Sequence, residues 1–168
     1  MTPSQAMRFA ILQFPASNCD QDCVHALRVL GAQAKLVWHK DTTLGEVDAV
    51  IVPGGFSYGD ALRCGAIARF SPVMQAVSRF ADNGGLVLGI CNGFQIMTNL
   101  EILPGALTHN KNGQYLDRWV DLEVQGKSPW LAGIKKISLP IAHGEGKYLI
   151  DEKKYKEMRK HKEVAFTY

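Results

Sequence analysis

The chain has 168 residues, 46% of them hydrophobic and 21% charged, with a formal net charge of +3. That length supports one domain with a buried core, and the near-neutral charge excludes a dedicated nucleic-acid surface, which needs a dense basic patch. No apolar run reaches membrane-helix length and the stretch MTPSQAMRFAILQFP lacks a secretory pattern, so a soluble, cytoplasmic protein with no membrane and no nucleic-acid partner is expected.

MRFAILQF, from Met7 to Phe14, is a short apolar run and the first predicted strand. PASNCDQD follows with the Pro, Ser, Asn and Asp of a loop and helix cap. In CVHALRVLGAQ, the residues Val24, Leu27, Val29 and Leu30 are spaced as the apolar face of a helix that Gly31 ends. AKLVWH is a second strand candidate. Val47 to Val52 is continuous and β-branched, the mark of a third strand buried on both faces. DALRCGAIARFSPVMQAVSRFADNGG reads as helix, interrupted at Ser71-Pro72 and closed by Asn83-Gly84-Gly85. LVLGI is a fourth strand and NGFQIMTNLEIL another helix. This alternation predicts an α/β fold with a mostly parallel sheet, flanking helices and right-handed crossovers.

The pattern changes after Pro104. QYLDRWVDLEV alternates as an antiparallel strand does, KKISLPIAHGEGKYLI reads as two strands around a Gly-rich turn, and DEKKYKEMRKHKE is a charged, solvated helix. VAFTY is one more strand. No repeat or linker interrupts the chain, so one domain over residues 1–168 is expected.

The four cysteines are Cys19, Cys23, Cys64 and Cys91. Cys19 and Cys23 share one face of a helix start, but no second Cys or His pair at zinc spacing follows, and no metal site is expected. Cys91 is different. Gly89-Ile90-Cys91-Asn92-Gly93 is G-x-C-x-G, the thiol version of a nucleophile elbow. A strand that turns sharply into a helix strains the apex residue and lifts its side chain out of the sheet. The flanking glycines let strand and helix approach. The helix N-terminus favours thiolate, and the Asn92 N–H can donate to a developing oxyanion. A buried structural cysteine in a tight turn has the same spacing. Gly54-Gly55, after the third strand, can aim a second N–H into the same pocket, or form an ordinary turn.

VPGGFSYGDALRCGAIA together with GICNGFQIM resembles the class I glutamine amidotransferases, in the branch that serves purine biosynthesis. FPASNCDQD and PIAHGEGKY are similar to further motifs of that class, so the resemblance runs from about Met7 to Tyr168. It implies a flavodoxin-like, mostly parallel sheet with an antiparallel extension. It also implies a reaction: glutamine is hydrolysed to glutamate and ammonia through a cysteine thioester. The ammonia passes to a synthetase subunit that converts formylglycinamide ribonucleotide to the amidine. The implied partners are glutamine, that synthetase subunit and a small accessory subunit. No cofactor is implied in this chain; ATP and Mg belong to the synthetase. By motif, Cys91 is the nucleophile, Gly55 and Asn92 supply oxyanion N–H groups, Gln95 holds substrate and Gly54 shapes the pocket.

A cysteine nucleophile of this kind needs a histidine base oriented by a carboxylate. The class carries both in a His-Pro-Glu-Arg segment near its C-terminus, which these 168 residues do not contain. The resemblance therefore implies an amidotransferase domain that is C-terminally incomplete. His143 and Glu145 in AHGEG reproduce the His-x-Glu spacing, but PIAHGEG resembles a separate motif that lines the glutamine pocket or a subunit interface. His25, His39, His109 and His161 read as structural or solvated. Three alternatives stand beside this one: a catalytically impaired family member, another cysteine-elbow hydrolase, and a binding module of the same fold. The 168-residue chain, at verified intact mass, is expected to turn over glutamine poorly even with its synthetase partner. Near-normal turnover would make His143 the base.

Overall fold

A computed structural model describes residues 6–168. The reading of Met1–Gln5 as part of a non-secretory N-terminus lies outside the described residues. Among those described, no helix is long and apolar enough to cross a membrane. The chain divides into two compact units, the first ending at Leu103 and the second beginning at Pro104.

The first unit is the parallel α/β part. Its strands are β1 (Arg8–Gln13), β2 (Gln33–Trp38), β3 (Ala49–Val52) and β4 (Leu86–Gly89). They form one four-stranded sheet in the order β2-β1-β3-β4, every pair parallel. Helices α1 (Asp20–Val29), α2 (Pro72–Asp82) and α3 (Asn92–Asn99) accompany it. All four residues of β3 are buried, as a continuous β-branched run requires between two covered faces. Leu12, Val50, Val52, Val73, Met74, Val77 and Ile96 join one core cluster with no exposed surface. The chain leaves β1 toward β2 on one side and passes β3 on the other. The ends of β1 and β3 therefore flank the point where strand order reverses, the place where open α/β sheets bind ligands.

Two expectations need correction within this unit. In α1 only Val24 of the predicted apolar face is buried; Leu27 is half-buried, and Val29 and Leu30 are exposed. Val29 lies about 140° around the helix from Val24, so one sheet face cannot cover both. The predicted helix over residues 60–70 is instead two short 3-10 turns, Ser57–Asp60 and Ala68–Phe70. Tyr58, Gly59, Asp60 and Leu62 take left-handed φ values of 55°, 64°, 52° and 70°. Local propensity loses here to side chains of α3: Asn92 holds Ser57 and Asp60, and Asn99 Nδ2 donates to the Cys64 carbonyl at 3.0 Å.

The second unit is antiparallel. Strands β6 (Leu116–Val124) and β7 (Lys136–His143) pair along their length, and β9 (Phe166–Thr167) joins the other edge of β6. The two strands expected around the Gly-rich turn exist but do not pair with each other. β8 (Lys147–Leu149) pairs with β5 (Ala106–Thr108), a strand the apolar pattern does not signal. Helix α4 (Glu152–His161) buries only Met158, and Asp151 caps it by accepting from the Lys154 N–H at 2.9 Å.

Leu12→Ala should lower the unfolding free energy by about 2–5 kcal/mol in urea titration, because the cavity lies in the central strand of the parallel sheet. An effect below about 1 kcal/mol would show that the sheet core collapses around the gap.

Candidate active site

The elbow is built from the contact of β4 and α3 with β3. Gly89 pairs with Val52, and the Ile90 N–H donates to the Val52 carbonyl at 3.0 Å. The chain then reverses at Cys91, with φ 49° and ψ −107°. Such a conformation costs a non-glycine residue on the order of 1–3 kcal/mol and persists only where the surroundings impose it. The Gly93 N–H donates to the Ile90 carbonyl at 2.8 Å, and the Gln95 N–H to the Cys91 carbonyl at 3.1 Å. A Cβ on Gly93 would collide with the Val52 carbonyl, and one on Gly89 would lie 2.6 Å from Met97 Sδ. The two glycines therefore permit the close strand–helix approach that the motif requires.

Cys91 is an exposed residue, and the Asn92 N–H faces its sulfur. Crowding by protein pushes the thiol up from its ordinary value; the Asn92 N–H opposes that, and the negative potentials of Cys19 and Asp60 add to it. The Asn92 N–H by itself favours the thiolate, but desolvation by the surrounding protein is the larger effect. Of the two glycines after β3, Gly54 stands against Cys91. A Cβ on Gly54 would lie 3.5 Å from Cys91 Cβ and 3.9 Å from Cys19 Sγ. Gly55, at φ +116°, leaves no room for a side chain beside Asn18. Loops from the ends of β1, β3 and β4 thus converge on one thiol.

Asn92 is buried. Its Oδ1 accepts from the Ser57 hydroxyl at 2.6 Å and the Ser57 N–H at 3.3 Å. Its Nδ2 donates to Asp60 Oδ1 and to Gln95 Oε1, both at 3.1 Å. Gln95 is itself buried one turn beyond Cys91. The first unit therefore brings together Gly54, Gly55, Cys91, Asn92 and Gln95. Sequence reasoning assigned no part to Asn18, Ser57 or Asp60, although FPASNCDQD and GGFSYGD contain them. Nothing in their spacing points to a partner on another loop.

His143 and Glu145 lie in the second unit. His143 Nδ1 pairs with Asn110 Oδ1 at 3.0 Å, and Asn110 Nδ2 donates to the His143 and Gln114 carbonyls, each at 2.8 Å. The Gly146 N–H donates to Asn110 Oδ1 at 3.1 Å, so one buried asparagine organises the whole turn. Glu145 stands 3.9 Å from His109. His39 is buried, its Nδ1 2.6 Å from the Tyr58 hydroxyl, and burial, aided by Lys40, pushes its pKa down. His25 and His161 are exposed. Among the described residues no group of three or more His, Cys, Asp or Glu is placed to hold a metal ion.

A family model described as a CobB/CobQ-like glutamine amidotransferase domain matches residues 6–168. The chain is 50% identical over 167 residues to phosphoribosylformylglycinamidine synthase subunit PurQ of Gloeobacter violaceus, covering 96% of this chain and 72% of that one. Among solved structures, PurLQS from Thermotoga maritima aligns with a TM-score of 0.80 at 39% identity, over 88% of this chain and 72% of that one. A glutamine amidotransferase from the same organism aligns with a TM-score of 0.58 at 15% identity, over 89% of this chain and 65% of that one, a likeness of fold. The chain therefore belongs to the glutamine amidotransferases, in the family of phosphoribosylformylglycinamidine synthase subunits PurQ.

Proposed function

We propose that this chain hydrolyses glutamine to glutamate and ammonia at Cys91 and delivers the ammonia to a synthetase subunit that makes formylglycinamidine ribonucleotide. The observation that carries this reading is the strained Cys91 apex, with its sulfur facing the Asn92 N–H and backed by Gly54. The Cys91 sulfur attacks the side-chain carbonyl carbon of glutamine. The carbonyl oxygen takes the developing charge between the Gly55 and Asn92 N–H groups. The C–N bond breaks, ammonia leaves with the added proton, and water cleaves the thioester to release glutamate and the thiol.

The proton on Cys91 must go to a base. Desolvation by the surrounding protein pushes the thiol up, and the neighbouring Cys19 and Asp60 push the same way. In the class this chain resembles, the acceptor is a histidine oriented by a glutamate, in a segment absent from these residues. His143 and Glu145 are read as pocket or interface residues, since the His143 ring is already bonded to Asn110. Gln95, one turn beyond Cys91, holds substrate, and its side-chain oxygen accepts from Asn92 Nδ2 at 3.1 Å. Residues 1–168 act as a single amidotransferase domain, because the matched family spans both compact units. The synthetase and a small accessory subunit are its partners, a reading that the PurLQS assembly of the relative supports, and the chain works in the cytoplasm.

A glutamine-mimicking electrophile should label Cys91, glutamine should protect it, and Cys91→Ser should abolish both labelling and turnover. Labelling that glutamine does not slow would favour a different cysteine hydrolase. Without glutamine, alkylation of Cys91 by iodoacetamide should accelerate with rising pH through a midpoint above that of an unperturbed thiol, read by peptide mass mapping. A midpoint below neutrality would show that the thiolate is preformed.

A further inference from the structure

We propose that the side-chain carboxamide of Asn92 is a positioning group for the glutaminase reaction. It ties the segment after Gly55 to the elbow, so that the Gly55 and Asn92 N–H groups keep one fixed separation. The inference rests on the reading of Cys91 and these two donors given above.

A carboxamide offers two N–H donors and two acceptor lone pairs. Asn92 uses all four. The Ser57 hydroxyl and N–H occupy Oδ1, and Asp60 and Gln95 accept from Nδ2. The side chain is 2% exposed, so none of these bonds is replaced by solvent at little cost. Its two external partners bracket the turn Ser57–Asp60, where Tyr58, Gly59 and Asp60 all have left-handed φ. Ser57 lies two residues beyond Gly55. The other bonds near Gly55 lead elsewhere: the Tyr58 N–H donates to the Pro15 carbonyl at 2.7 Å, and Gly55 packs on Asn18. Those fasten the segment to the loop after β1. Asn99 and Ile96 hold α3 to residues 63–65, farther along the chain. Asn92 makes the link at the first turn of α3, where its own N–H meets the sulfur.

The partner polarities also specify asparagine. Asp60 already accepts from the Cys64 thiol through Oδ2 at 3.3 Å, so its other oxygen needs a donor. Aspartate at position 92 has the same shape but no donors, and it would place a second negative charge against Asp60 and the Gln95 oxygen. Adding Asp60→Asn restores a donor opposite an acceptor in the same geometry.

The test uses the chain in complex with its synthetase subunit. Whatever glutamine turnover the complex retains should fall about 10–100-fold in kcat in Asn92→Asp with KM changed by less than about three-fold, because oxyanion donors act on the transition state. A glutamine-derived aldehyde adds to Cys91 as a thiohemiacetal whose oxygen occupies the oxyanion position. Its affinity should fall by the same factor, and this readout needs no turnover. Iodoacetamide forms no oxyanion and, at a pH above the thiol midpoint of both proteins, should alkylate Cys91 at close to the native rate. The double variant Asn92→Asp with Asp60→Asn should recover aldehyde affinity. Should Asn92→Asp fail to fold, Ser57→Ala, which removes one bond and keeps the Ser57 N–H, should show the same selective loss of aldehyde affinity to a smaller degree. Native kcat and aldehyde affinity in Asn92→Asp, beside an inactive Cys91→Ser, would overturn the positioning role alone. Turnover and aldehyde binding that survive Cys91→Ser would overturn the nucleophile assignment and this inference with it.

Discussion

The contact on which the rest of the site depends is the approach of Gly93 to the carbonyl of Val52. No side chain fits there, so α3 starts directly against the end of β3. That start leaves no room for a gradual turn, and Cys91 takes up the reversal in a left-handed conformation. Once α3 begins at Asn92, its first side chain falls over Ser57 and Asp60, and the thiol falls beside Gly54. A single backbone-to-backbone approach thus sets the direction of the thiol, the donor beside it and the wall opposite it.

The enclosure that shapes this site works against its chemistry. A thiol crowded by protein, with Cys19 and Asp60 acting on it, holds its proton more tightly than a free one. One backbone N–H is too little to reverse that. Nucleophilic attack therefore calls for a proton acceptor placed at the sulfur, and the elbow residues themselves offer none with a positive or basic side chain. Strain and oxyanion donors prepare the geometry of attack, and the proton transfer is a separate requirement.

Both compact units use the same device to hold a turn. A buried asparagine bonds its carboxamide both to a near neighbour and to groups distant in sequence, Asn92 to Gln95 and across Ser57–Asp60, Asn110 to Gln114 and across His143–Gly146. Only the second turn contains residues singled out from sequence, His143 and Glu145, and in each case the asparagine bonds to the turn from at least 32 positions away. A carboxamide suits the task because it donates and accepts at once, without carrying a charge into a buried place.

Much of this protein is legible without coordinates. The β-branched run at Val47–Val52, the proline before Val73 and the spacing of Gly89, Cys91 and Gly93 are local signals. Strand burial, helix entry and tight approach are decided by a residue and its near neighbours, so sequence alone determined the parallel layout, the elbow and the family. What only the tertiary structure decided lies in contacts between distant segments. The residues from Asp60 to Phe70 abandon a helix because α3 captures their polar groups. β8 takes β5 as its partner in place of its sequence neighbour β7. The Cys91 thiol is pushed up because protein from neighbouring segments desolvates it, an effect larger than the opposing Asn92 N–H. Periodicity and glycine placement describe a segment's own backbone; hydrogen-bond partners and desolvation depend on which other segments arrive beside it.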